Sequence, residues 1–154
     1  MAIKIDTQID GMPELRRAFS KLPDNLQRRV LFKAIVRNTK VLEQKMKELA
    51  PVRDNANQGK SKKYPSRNHP VGYLRASIGT VKSRSGKYPT VWVRPRFKGK
   101  WDPWYEHFVM SGTANRKVAP VPFVDMAWDS VGAQVENGLK NDLEQMIQQE
   151  INRL

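Results

Sequence analysis

The stretch NLQRRVLFKAIVRNTKVLEQKMKELA, residues 25–50, decides the fold. Leu26, Val30, Leu31, Ala34, Ile35, Val41, Leu42, Met46 and Leu49 recur at helical spacing. Arg28, Arg29, Lys33, Arg37, Lys40 and Lys47 lie mostly elsewhere, so the spacing predicts one amphipathic helix of about seven turns. Pro51 ends it, because proline offers no N–H and disfavours the helical conformation for the residue before it.

Upstream, Ile3 and Ile5 alternate with Lys4 and Asp6, a short strand of edge character. After Asp10-Gly11, Met12-Pro13-Glu14-Leu15 opens a short helix. Pro13 suits a first helical position, Glu14 suits the N-terminal dipole, and Leu15, Phe19 and Leu22 form its stripe. Pro23 and Asp24 restart the chain. Downstream, residues 53–71 are Asn, Gln, Gly, Lys, Ser and Pro with almost no large aliphatic side chain, which predicts a long mobile loop.

Regular structure returns with Ala76 to Arg84 and Tyr88 to Arg96, two antiparallel strands joined across Ser85-Gly86-Lys87. Pro89 and Pro95 bracket the second strand and mark an edge or an early end. Trp101 to Met110 reads two ways. Trp104, Tyr105, Phe108 and Val109 make a helical face, and a strand ending at Ser111-Gly112 fits almost as well. Phe123, Met126, Ala127, Val131, Val135, Leu139, Met146, Ile147 and Ile151 give a C-terminal helix, weakened near Gly132 and Gly138. The expectation is one α+β domain over residues 1–154, a small antiparallel sheet packed by the long central helix and the C-terminal helix, with a mobile basic loop at 53–71.

Composition is consistent with this. A chain of 154 residues, 39% hydrophobic, supports one modest core. No apolar run approaches the roughly 18 to 20 residues of a membrane-spanning helix, and Met1 to Asp10 lacks the apolar block of a secretory signal, so the expectation is a protein that stays where it is made, with no membrane partner. Without a single Cys, the chain has no disulfide, thiolate zinc site or Cys nucleophile.

The charge is placed as well as abundant. Of a net +13, residues 51–100 carry thirteen Lys and Arg against one acid, Asp54. Residues 101–154 carry four bases against eight acids. Lys60, Lys62, Lys63, Arg67, Arg75, Lys82, Arg84, Lys87, Arg94, Arg96, Lys98 and Lys100 interleave with Tyr64, Tyr73, Tyr88 and Trp92. That pattern fits a phosphate-tracking surface with stacking side chains. It fits equally a set of long basic side chains that solubilise an edge hairpin and a loop. A helix-turn-helix fits less well, because no short helix with the right turn precedes the long one and the bases are spread around it.

Catalytic chemistry finds few candidates. His69, in Asn68-His69-Pro70, reads as a solvated turn residue. His107, with Glu106 and Asp102 nearby in sequence, reads as a surface cluster, since the i, i+4 pairing of a helical metal site is missing. No phosphate-cradling glycine pattern occurs. The reading is of a protein that is not an enzyme and takes no cofactor or metal.

Three islands in order carry a resemblance. Ile5 to Leu22 leads from a strand through Asp10-Gly11 into the Leu15/Phe19 helix. Ala50-Pro51-Val52 is followed, beyond the basic loop, by Gly72-Tyr73-Leu74-Arg75-Ala76-Ser77-Ile78. Phe108-Val109-Met110-Ser111-Gly112-Thr113 then leads to Ala119-Pro120-Val121-Pro122-Phe123 and the helix containing Ala127. This order resembles the family of phage neck and tail-completion proteins, and the resemblance spans nearly the whole chain. Two departures stand out: the basic insertion between Val52 and Gly72, and Met110-Ser111 where the family often has an acid and an aromatic before Gly-Thr.

The residues have scaffold roles in their own right. Pro51 fixes the helix exit, Gly72 launches Leu74 and Ile78 inward, Gly112 ends an element, and Pro120 and Pro122 hold an extended approach that delivers Phe123 to the core. The loop Thr113 to Val121, with Arg116 and Lys117, is the candidate for docking a partner.

The resemblance implies a structural virion protein of a long-tailed phage, assembled in the host cytoplasm and acting at the head-tail junction or in the tail. It implies homo-oligomeric rings that meet connector or head-completion proteins on one side and tail-terminator or tail-tube proteins on the other. Lys60, Lys62, Lys63, Arg67, Arg116 and Lys117 are then the candidates for contact with a neighbouring acidic protein or, non-specifically, with DNA. The alternative is a basic nucleic-acid-binding module.

Overall fold

The computed structural model describes residues 13–52, 69–83, 90–97, 99–114 and 119–153, with the side chains of Glu14 and Leu15 excepted. The expected strand at Ile3 and Ile5, nearly all of the basic loop, and the hairpin turn at Ser85-Gly86-Lys87 lie outside the described residues. So do Lys60, Lys62, Lys63, Arg67, Arg116 and Lys117.

The fold is α+β. Helix α1 (Pro13–Ser20) leads into α2 (Asp24–Leu49), followed by a one-turn helix α3 (Tyr73–Ser77), strands β1 (Ile78–Ser83) and β2 (Thr90–Pro95), short α4 (Glu106–Ser111) and long α5 (Phe123–Ile151). The two strands pair antiparallel, from Ile78 opposite Pro95 to Ser83 opposite Thr90. Helix α2 is the shared wall: α5 packs on it, as do both strands, while contacts between the strands and α5 are sparse at most. Arg29 pairs with Glu150 and Asn38 with Asp142, so α2 and α5 run antiparallel.

Two apolar clusters fill the interior. Leu42, Met46, Ala50, Leu74, Ile78, Phe123, Val124, Ala127 and Val135 form one beside the sheet. Leu22, Val30, Ala34, Leu139, Leu143 and Ile147 form the other toward the far end of the helix pair, with Phe19 and Leu26 packed against it.

Between the clusters lies a polar level. The Asn38 amide donates to the Ala34 carbonyl at 2.9 Å and to Asp142 Oδ2 at 2.7 Å, and Arg37 reaches the other oxygen of Asp142 at 3.1 Å. Helix α5 runs unbroken through both Gly132 and Gly138, where the sequence suggests a weakening. Each glycine makes room for a neighbour: the Trp128 ring lies over Gly132, and a Cβ at Gly138 would collide with the Asn38 amide oxygen.

The sequence motifs find their physical reasons here. Ala50, ahead of Pro51, is extended at φ −60° and ψ 125°, the conformation that a following proline favours. Gly72 takes a left-handed φ of 76° and Gly112 a φ of 71°, the latter closing α4. Ala76 and Ser77, expected to open the first strand, depart from it. The turn at Gly72 starts a helix instead, and buried Ser77 donates its hydroxyl to the Leu74 carbonyl at 2.7 Å. Arg96 likewise falls past the ladder, its N–H going to the Ser77 carbonyl at 3.0 Å. Of the two readings of 101–110, the helix is the one adopted, but only from Glu106; Trp104 and Tyr105 precede it.

The hairpin is tied to α2 by Glu43. Its carboxylate accepts from Thr80 Oγ1 at 2.7 Å and from Lys47 Nζ at 2.5 Å. Burial alone would raise its pKa, but the hydrogen bonds from Lys47 and Thr80 and the Lys47 charge outweigh it and hold the carboxyl below its ordinary value.

A group with a depressed folded pKa contributes stability above its unfolded pKa and loses it as pH falls through the folded one. Wild type should therefore lose more stability on acidification than Glu43→Gln does, and at neutral pH the variant should be less stable by on the order of 1 kcal/mol, measured by urea denaturation. Parallel pH profiles would show the tie to be inert. A second expectation concerns Gly138. In a helix interior Gly→Ala gains about 1 kcal/mol, but Gly138→Ala should fail to do so here and should deliver it in an Asn38→Ala background. Equal effects in both backgrounds would remove the close approach as a determinant.

Candidate interaction surface

Strand alternation sorts the hairpin into two faces. Ile78, Thr80 and Lys82 with Val93 and Pro95 face α2. Ile78 and Pro95 are fully buried, Val93 packs on the core, Thr80 reaches Glu43, and the Lys82 ammonium sits 5.9 Å from the Phe32 ring. The opposite face carries Gly79 and Val81, paired with Arg94 and Trp92. Arg94 is exposed, and its guanidinium lies 5.6 Å from the Trp92 ring.

The chain after β2 extends this outer face. Arg96 lies across Gly79, where any side chain would meet its Nε, and that Nε donates to the Ser77 carbonyl at 3.0 Å. The same guanidinium lies 5.2 Å from the Trp101 ring, and the Lys100 ammonium lies 4.9 Å from it. Phe97 is 53% exposed. Buried Tyr73 anchors the segment by donating its hydroxyl to the Lys100 carbonyl and accepting from the Asp102 N–H, both at 2.7 Å. His69 stacks flat on Tyr73 with centroids 3.9 Å apart, so it is a packed ring and not the solvated turn residue that its sequence context suggests.

Several members of the basic, aromatic series are thus committed internally. Arg75 donates to the Ala50 carbonyl at 2.9 Å and more weakly to that of Glu48, placing a cation at the C-terminus of α2. Arg96 does the same for α3, and Tyr73 is a clamp. Among the described residues, Arg94 and Lys100 remain as the exposed cations of this face.

The acidic counterpart lies on α5. Asp125, Asp129 and Glu136 are exposed, spaced i, i+4 and i+11, and so share one face at about 3.6 residues per turn. None forms an ion pair among the described residues, whereas Asp142 and Glu150 are taken by Arg37 and Arg29. Met126 beside them is 44% exposed. The net acidity of residues 101–154 signals this stripe, and only the helix geometry separates its free members from the paired ones.

The other candidates divide. Leu74, Ser77 and Phe123 are buried scaffold, and Pro122 immediately precedes α5. Thr113 places a buried hydroxyl without a hydrogen bond, and Ala119 and Pro120 are exposed. Among the described residues Glu106 is the other carboxyl with a shifted pKa: burial raises it, against the opposing charges of Arg94 and His107. His107 is exposed, its ring 3.8 Å from that of Phe108. Among the described residues, no three of His, Asp and Glu are placed to hold a metal ion, and no helix is long and apolar enough to cross a membrane.

Comparison with protein-family models, with curated proteins and with solved structures finds no match to this chain.

Proposed function

We propose that this chain is a structural protein of a phage neck or tail, which assembles as a ring of identical copies between the head connector and the tail. The observation that carries the reading is the convergence of the second and third resembling islands in one core, while Phe19 and Leu22 of the first belong to the other cluster. Ala50, Leu74, Ile78, Phe123 and Ala127 belong to a single buried cluster, and Arg75 of one island bonds the Ala50 carbonyl at the end of α2. Motifs far apart in sequence thus have a shared structural reason to occur together and in this order. Their jobs are those of a scaffold, which leaves recognition to the surfaces around them. Two strands pair among the described residues, and lateral association of copies through a sheet edge is part of the proposal.

The purified full-length chain should form discrete oligomers in solution, seen by light scattering and as rings in electron micrographs, and should bind purified head connectors or tails. A chain that stays monomeric at high concentration and ignores both would overturn the proposal. Neutralising Lys60, Lys62, Lys63 and Arg67 to Gln should leave ring formation intact. Any DNA affinity should weaken, its log–log salt slope becoming shallower by about 0.9 for each phosphate that the variant no longer neutralises. Tight, salt-steep DNA binding by a monomer would favour the nucleic-acid-binding module instead.

A further inference from the structure

We infer that copies of this chain associate head to tail, the outer face of the hairpin in one copy docking on the acidic face of α5 in the next. The inference rests on the ring reading and names its contact. The donor surface presents Arg94 and Lys100 over Trp92 and Trp101, with Phe97 exposed beside them. The receiving surface presents Asp125, Asp129 and Glu136, with exposed Met126 next to Asp125 and exposed Lys140 one turn past Glu136, and is net acidic.

Three features select a second copy as the occupant. The two surfaces are complementary in sign, and each combines charge with an exposed apolar side chain, as an interface with a dry centre and charged surroundings requires. They also lie on different layers, since the hairpin and α5 each pack on α2 and scarcely on each other. A copy therefore has both surfaces free at once. Finally, the alternative symmetric arrangement is disfavoured by charge. A two-fold dimer through either surface alone would set Arg94 and Lys100 against themselves, or the three carboxylates against themselves. A heterologous contact sets the prevailing signs of the two surfaces against each other, and such a contact propagates from copy to copy until it closes.

The acids are free to take part because α5 does not use them. Asp142 and Glu150 hold α2, whereas Asp125, Asp129 and Glu136 are without an ion pair among the described residues. The cations are preorganised by the opposite means. Trp92 and Trp101 support the Arg94 and Lys100 side chains, which lowers the side-chain entropy lost on docking.

The test uses two full-length variants and sedimentation velocity at low salt. Asp125→Lys/Asp129→Lys/Glu136→Lys makes both surfaces basic, and Arg94→Glu/Lys100→Glu makes both acidic. Each variant alone should self-associate at least about tenfold more weakly than the parent. An equimolar mixture should recover parental association to within about threefold, because each variant then supplies the sign that the other lacks. Recovery in the mixture also shows that both variants are folded. If both variants associate like the parent, the contact lies elsewhere and the ring reading survives without this interface. If the mixture fails to recover, the pairing of these two surfaces is wrong. If the acidic variant loses only DNA binding while still associating, nucleic acid is the occupant of the hairpin face. A parent chain that is monomeric at every concentration, and inert toward connectors and tails, would remove the ring reading and the interface together.

Discussion

A helix of 26 residues can bury one flank against α5 and another against a hairpin only if the polar groups caught along it are paired, and α2 meets that condition at three levels. At its middle Asn38 and Arg37 share Asp142, and toward its end Glu43 takes Lys47 and Thr80. At its C-terminus Arg75 bonds the Ala50 carbonyl. The apolar clusters on either side of the Asn38 level supply most of the burial energy but are permissive about sliding, since aliphatic side chains accept many partners. The polar contacts are directional, so they fix where along α2 each partner sits. Loss of the Asn38 level would leave two oily seams free to shift past one another, and the Gly138 approach would lose its reason.

This division explains which parts of the fold are legible in the sequence. Apolar periodicity reports burial, so α2 and α5 can be read from the spacing of residues such as Ala34, Met46, Val135 and Ile147. Backbone punctuation is legible for the same local reason: Pro51, Gly72 and Gly112 sit where the chain must leave a helix or take a positive φ. Contacts between distant residues leave no such trace. Ala76 and Ser77 read as a strand opening, and the helical turn that includes them follows from the reversal at Gly72 and the Ser77 hydroxyl bond. Gly138 looks like a helix weakness until Asn38, about a hundred residues earlier in the chain, is seen against it.

The surface is legible in sign and not in detail. Counting charges separates a basic middle from an acidic end, but it assigns every Lys and Arg the same availability. The structure withdraws Arg75 and Arg96 to backbone carbonyls and Tyr73 to a clamp, and it withdraws Asp142 and Glu150 to α2. A long charged side chain near a helix terminus or a loose carbonyl is as useful to the fold as to a ligand. Exposed charges that the fold does not use, such as Arg94 and Lys100 on one layer and Asp125, Asp129 and Glu136 on another, are therefore more informative than the total.

Charge of this kind sets orientation more than strength. Exposed ion pairs are each worth about 1 kcal/mol or less and are screened beyond roughly 8 to 10 Å at physiological salt, so they select an approach without holding a complex by themselves. The apolar side chains near them, Phe97 and Met126, are the groups whose removal from water can hold the contact once it is oriented. A contact that is strong in register and modest in affinity suits a ring. Each interface can open and re-form while copies are added, and closure then stabilises all of them together, because no copy can leave a closed ring without breaking two contacts at once.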